Sequence, residues 1–177
     1  NNGSVNSSIS LRVLGEGLDT YRLNTSISVY DGKTFTLGEG VTLVADRSAS
    51  HDINVNGGGK FIADGATLQL LGASSGDRVN VRAYNGAEIV LTDAAVRGSG
   101  SSLSGDDEGN FHVYDGGRLS VQNSSLSGVD GIYVEAGGVF EVSDSSVDSV
   151  ISVKGAASIN RSALSKSLVV SGSISGE

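Results

Sequence analysis

The chain has 177 residues, 12 basic and 20 acidic, for a net charge of −8; Gly supplies 26 residues, while Pro, Cys, Met and Trp are absent. This composition excludes disulfides and a thiol nucleophile, and the lack of a basic cluster argues against a nucleic-acid partner. No stretch approaches the ~18 apolar residues of a membrane span, and 38% apolar content is too high for a disordered Gly/Ser chain.

Asn1 to Ser8 reads as a polar N-terminal arm, and residues 9–177 as one domain. The chain starts at Asn1 without Met or a visible leader, as expected of a processed protein or an excised domain. Ile9-Ser10-Leu11-Arg12-Val13 alternates as a strand does and ends at Gly15-Glu16-Gly17. Ile27-Ser28-Val29 is a second alternating run, closed by the turn signal Tyr30-Asp31-Gly32. Phe35 and Leu37 follow Val29 at offsets of six and eight.

The stretch from Ile53 to Leu68 makes the pattern explicit. A short apolar strand ending at Val55 meets Gly57-Gly58-Gly59, and Phe61, Ala63 and Leu68 stand six, eight and thirteen residues after the valine. Val113 leads Leu119, Val121 and Leu126 at the same offsets, and Val134 leads Phe140, Val142 and Val147. Val79-Asn80-Val81 restarts the pattern, on a reading that inserts two residues near Tyr84-Asn85 before Ile89, Leu91 and Val96. Ile151-Ser152-Val153 leads a shorter copy, and Leu168-Val169-Val170 a last fragment ending at Ile174.

With Val29, Val55, Val81, Val113, Val134, Val153 and Val170 as leaders, the intervals are 26, 26, 32, 21, 19 and 17. A fixed strand phrase with variable corners is the signature of a solenoid, because one coil cannot bury its apolar face until another stacks on it. A meander sandwich also supplies many short strands but does not predict one valine-glycine-glycine phrase recurring in register. The expected fold is therefore an all-β, single-domain parallel β-helix, or β-solenoid, of roughly seven coils that shorten toward the C-terminus. Asp64, Asp93, Asn123 and Asp144 are expected at one corner, where short polar side chains bond turn amides.

The phrases Val-Tyr-Asp-Gly-Gly-Arg-Leu-Ser-Val and Val-Glu-Ala-Gly-Gly-Val-Phe-Glu-Val resemble coils of right-handed parallel β-helix proteins. The nearest are exported surface proteins: autotransporter passenger domains, adhesins, and sheath or surface-layer proteins. The resemblance covers about Ile27 to Ile174. It implies an architecture and an extracellular or cell-surface location, and it leaves function open, since this fold carries lyases, adhesins and fibres alike.

No recognisable catalytic motif stands out, and no cofactor is implied. His51 and His112 lack a Ser or Cys partner at a diagnostic spacing, and His112, between Phe111 and Val113, is expected to point out of its strand. Asp106-Asp107-Glu108 is the densest acidic run. A solvated loop is the favoured reading, and a Ca²⁺ site the alternative, without EF-hand or nonapeptide spacing. Sequons at Asn2, Asn6, Asn24, Asn123 and Asn160 permit glycosylation. Ile9, Leu11 and Val13 at one end, and Leu168, Val170 and Ile174 at the other, are expected to form open strand edges. The leading expectation is a non-enzymatic subunit of a sheath, surface layer or fibre whose partners are copies of itself. A carbohydrate-binding adhesin or fibre module with cell-surface glycans as partners is the alternative, and a small polysaccharide lyase or hydrolase is third.

Overall fold

A computed structural model describes residues 3–45, 51–71, 79–98 and 110–176. The described residues form a parallel β-solenoid with three sheets and no helix. Coils 1 to 7 contribute one strand to each sheet, and coil 8 one to each of the first two. The first sheet stacks Gly3–Val5, Ile27–Val29, Ile53–Val55, Asn80–Ala83, Asn110–Val113, Gly131–Val134, Val150–Val153 and Leu168–Val170. The second stacks Ile9–Leu11, Thr34–Leu37, Lys60–Asp64, Glu88–Thr92, Arg118–Gln122, Val139–Ser143, Ala156–Asn160 and Ser173–Ser175. The third stacks Thr20–Leu23, Thr42–Ala45, Thr67–Leu70, Ala95–Gly98, Ser125–Ser127, Ser146–Val147 and Ala163–Leu164. Coils 1 to 8 are numbered in this order.

The repeat works because strands alternate and coils stack in register. Side chains at every second position point inward, and like positions of successive coils fall in columns about 4.8 Å apart. The leading column of the first sheet is Val5, Val29, Val55, Ala83, Val113, Val134, Val153 and Val170. Facing it in the second sheet are Ile9, Phe35, Phe61, Ile89, Leu119, Phe140, Ala157 and Ile174. Val29, Val55, Phe61, Ile89, Leu119 and Phe140 are fully buried. Phe35 stacks on Phe61 with ring centroids 5.7 Å apart.

The register corrects one expectation and sharpens three others. Ala83, not Val81, occupies the leading column; Val81 pairs with Ile53 and Phe111 two residues earlier. Counted from Ala83, Ile89, Leu91 and Val96 fall at the standard offsets of six, eight and thirteen, so no insertion is needed. Second, the polar arm expected over residues 1–8 contains a strand: Gly3–Val5 pairs with Ile27–Val29, and Val5 is buried. Third, the intervals along the true column are 24, 26, 28, 30, 21, 19 and 17, so coil length rises to coil 4 before it falls. Fourth, the three sheets hold eight, eight and seven strands, in keeping with the roughly seven coils expected.

Length changes at two corners. Between third and first sheets the connections are 24–26, 46–52, 71–79, 99–109, 128–130, 148–149 and 165–167. Between the first and second sheets, coils 2 to 6 turn through four residues closed by a hydrogen bond from the fourth amide to the first carbonyl, as in Gly117 to Tyr114 at 2.9 Å. In coils 2, 3 and 4 both central residues have positive φ, as in a type I′ turn, and these are Asp31-Gly32, Gly57-Gly58 and Asn85-Gly86. In coils 5 and 6 only Gly116 and Gly137 do, as in type II. Coil 7 shortens this corner to Lys154-Gly155, and that is why its core residues Ala157 and Ile159 follow Val153 at four and six.

The second corner turns on one left-handed residue. Gly65, Asp93, Asn123, Asp144 and Arg161 have φ of 60°, 49°, 49°, 51° and 44°. Gly65, not Asp64, is the member of this column; Asp64 pairs with Thr92 inside the strands. Asn and Asp tolerate this conformation because their short polar side chains bond locally. Behind them runs a serine ladder. The amides of Ala94, Ser124 and Ser145 donate to the hydroxyls of Ser124, Ser145 and Ser162 on the next coil, at 3.0, 3.0 and 3.2 Å. Those hydroxyls donate to the carbonyls of Gln122, Ser143 and Asn160, at 2.7, 2.6 and 2.8 Å.

Candidate functional site

The outer face of the first sheet collects the side chains with the richest chemistry. One outward column, the residues just before the leading column, reads Asn54, Arg82, His112, Tyr133 and Ser152. The residues just after it read Tyr30, Asn56, Tyr84, Tyr114, Glu135 and Lys154. Four of the five tyrosines of the chain therefore belong to one side of the solenoid. The side chains stand on a rigid sheet, held by strands whose inward residues are buried.

The aromatic rings form a ladder over coils 4 to 6. Tyr84 and Tyr114 stack at 4.4 Å with an interplanar angle of 5°. His112 lies 5.1 Å from Tyr133 and 6.1 Å from Tyr114. Burial, reinforced by the neighbouring phenol of Tyr114, raises the Tyr84 pKa above the ordinary tyrosine value. Tyr133 lies over Gly131, where an added Cβ would stand 2.4 Å from the ring and displace it.

A polar cluster adjoins the ladder. Asp52 accepts from the Asn80 amide at 3.1 Å, from Asn80 Nδ2 at 3.0 Å and from Arg82 Nη1 at 2.5 Å. Asp52 and Arg82 are both about four-fifths buried, at 18% and 23% side-chain exposure, so their charges are mutually compensated. Asn110 occupies the next place in the column of Asn80 and is 1% exposed, with neither amide atom hydrogen-bonded. Leaving a buried amide unpaired costs about 1–3 kcal/mol. Glu135 and Lys154 form an ion pair at 3.0 Å on the same face.

The sequence-derived candidates are distributed elsewhere. Ile9 and Leu11 lie in the outermost strand of the second sheet, Ile174 in its opposite outermost strand, and Leu168 and Val170 at the far edge of the first sheet. Val13 lies past the end of its strand, exposed in the connection to Thr20–Leu23. Asn6, Asn24 and Asn123 are exposed and Asn160 is half-buried. Asn123 Nδ2 donates to Asp93 Oδ1, and Asn160 Nδ2 to Ser158 Oγ at 3.3 Å. Asn2, Asp106, Asp107 and Glu108 lie outside the described residues. His51 is buried, while His112 is in the aromatic ladder. Among the described residues no cluster of His, Cys, Asp and Glu has the geometry of a metal site, and no helix is long and apolar enough to cross a membrane.

The ladder itself was not expected. Its signal is present in the sequence once Ala83 is placed in the leading column, because Arg82, His112 and Tyr133 then immediately precede that column and Tyr84 and Tyr114 immediately follow it. No protein-family model, curated protein or solved structure matches the chain.

Proposed function

We propose that the protein is a non-enzymatic structural subunit of an extracellular sheath, surface layer or fibre, associating with copies of itself through open β-edges. The observation that carries this reading is the character of the end faces. Ile9 is 40% exposed at one, and Leu168 and Ile174 are 36% and 52% exposed at the other. Ile159, Leu164, Leu168 and Ile174 line an open concavity of about 570 Å³ there. Unpaired strand edges over apolar columns are templates for another chain.

The hydrogen-bond pattern gives a sharp test. Ile151 N donates to Ser167 O at 2.9 Å and Ser171 N to Val153 O at 2.8 Å. Alternation along the strand then directs the amides of Leu168 and Val170 to the open side. Val170→Pro removes an outward donor without removing an internal bond. Light scattering and electron microscopy of the wild-type chain should show concentration-dependent linear assemblies. The Val170→Pro variant should stay monomeric with an unchanged far-ultraviolet spectrum. Monodisperse wild-type monomers at high concentration would overturn the proposal.

A carbohydrate-binding module is the second reading, favoured by the aromatic and polar side chains on the outer face of the first sheet. Its test is binding to a glycan array.

A further inference from the structure

We infer that copies of this chain join head to tail, the loop 12–19 of coil 1 seating its leucines in the apolar concavity at coil 8 of the next copy; this rests on the self-assembly reading and specifies its contact and polarity. The two ends differ in shape. At coil 8 the core is open, because that coil adds a strand to the first and second sheets and, among the described residues, none to the third. Ile159 and Leu164 of coil 7 are therefore only half-buried, whereas Val142 and Val147, in the same columns one coil earlier, are buried. With Leu168 and Ile174 they line the concavity of about 570 Å³. At coil 1 Val5 and Leu23 are buried, although they belong to the outermost coil. Exposed apolar surface stands instead on the connection 12–19, eight residues long where the same corner of coils 3 to 7 has two. Leu14 and Leu18 are 64% and 61% exposed there. Leu14 N donates to Leu18 O at 3.1 Å and Leu18 N to Gly15 O at 3.0 Å, so the loop is folded on itself and presents its leucines with little ordering left to do.

Two features select a second copy as the occupant. The first is position around the axis. The loop 12–19 connects the second sheet to the third, and the concavity opens between Ile159 and Ile174 of the second sheet and Leu164 of the third. Both therefore lie at the same corner of the solenoid, and coaxial stacking brings them together. In such a stack Gly3–Val5 continues the first sheet beyond Leu168–Val170, and Ile9–Leu11 continues the second beyond Ser173–Ser175, while the leucines fill the place that coil 8 leaves open in the third. The second is charge. Glu16 and Asp19 flank Leu18 on the loop, whereas residues 150–176 hold Lys154, Arg161 and Lys166 and no acidic residue. Buried apolar surface supplies the attraction, and the opposed charges orient it. A contact between unlike surfaces is heterologous, and repeated along a rod axis it does not close on itself. The product is an open filament whose two ends differ, not a two-fold dimer.

The whole chain carries no cysteine, so engineered thiols report the contact cleanly. Leu18→Cys and Leu164→Cys are made separately, mixed in equal amounts and treated with oxidised glutathione. The mixture should give a disulfide-linked dimer on a non-reducing gel, since the bond forms only where the two Cα atoms approach within about 7 Å. Each variant alone should stay monomeric on the gel, and a chain carrying both changes should give a ladder of multimers. Light scattering supplies a second reading that needs no thiol. Leu14→Ser and Leu18→Ser together, both at exposed positions, should raise the concentration needed for assembly about tenfold or more. Tyr30→Ser, exposed at a corner of coil 2, should leave it unchanged. Assembly of the wild-type chain with neither a crosslink in the mixture nor an effect of the two serine changes would overturn this contact and leave the open-edge reading standing. Crosslinking of Leu18→Cys with itself as readily as with Leu164→Cys would overturn the polarity. A wild-type chain that stays monomeric at high concentration would overturn both the contact and the reading beneath it.

Discussion

The hydroxyl of Ser124 holds two buried main-chain groups at once, the amide of Ala94 and the carbonyl of Gln122. Removing it leaves the Ala94 amide without an acceptor in a corner that is largely closed to water. Ser124→Ala should cost about 1–3 kcal/mol, read as a lowered thermal midpoint. The converse test extends the ladder. Ala94 stands in the serine column with Ala66 before it, so Ala94→Ser should stabilise by about 0.5–1.5 kcal/mol by accepting from the Ala66 amide. Asp144 shows the same corner electrostatically. Arg161 donates to both carboxylate oxygens, at 2.7 and 2.6 Å, and these bonds hold the Asp144 pKa below its ordinary value. A depressed carboxylate pKa stabilises the folded chain above the unfolded value and loses that effect as pH falls through the folded one. Thermal midpoints of wild type and Arg161→Gln should therefore differ at neutral pH and converge in acid below the ordinary aspartate range.

A strand in this fold is specified by its inward residues and its place in a column, and these were unequally visible in the sequence. Val55, Val113 and Val134 announce themselves because Phe or Leu follows at six. Ala83 does not, because a single methyl in the leading column is as common in surface positions as in cores, and Val81 two residues earlier is the better-looking leader. The Gly3–Val5 strand was hidden for the same reason: with one valine and two small residues, it becomes a strand by pairing with Ile27–Val29. The aromatic ladder was illegible because stacking between coils depends on the register, and the register turned on Ala83. Conversely, the glycine-rich first corner was readable, since both type I′ and type II turns demand positive φ at the second central residue. One glycine is demanding for another reason. A Cβ on Gly98 would stand 1.5 Å from the carbonyl oxygen of Gly128 on the next coil. Gly98→Ala should destabilise by about 1–3 kcal/mol by overpacking, visible as a drop in midpoint of about 2–4 °C per kcal/mol.

At the scale of the molecule, stability is built coil against coil. Among the described residues six ion pairs join neighbouring coils: Asp52–Arg82, Lys60–Glu88, Arg118–Glu141, Glu135–Lys154, Asp144–Arg161 and Asp148–Lys166. Most are too exposed to contribute much individually. Their shared effect is on register, because a coil that slipped by one residue would break the pair and turn its apolar side chains outward. The apolar columns supply the larger favourable term, and each coil buries its face only against its neighbours.

The corner between the third and first sheets varies from the two residues 148–149 to the eleven of 99–109, while the strands on either side keep their register. Nature has in effect already run an insertion series at this one joint. A guest peptide of about ten residues, spliced between Asp148 and Ser149, should be carried at a fixed height along the rod with little loss of stability, since loop length costs little closure entropy. A thermal midpoint within a few degrees of the parent's is the expected reading. Placed at several coils, such guests would be spaced at multiples of one coil rise, which makes the solenoid a molecular ruler for displaying them.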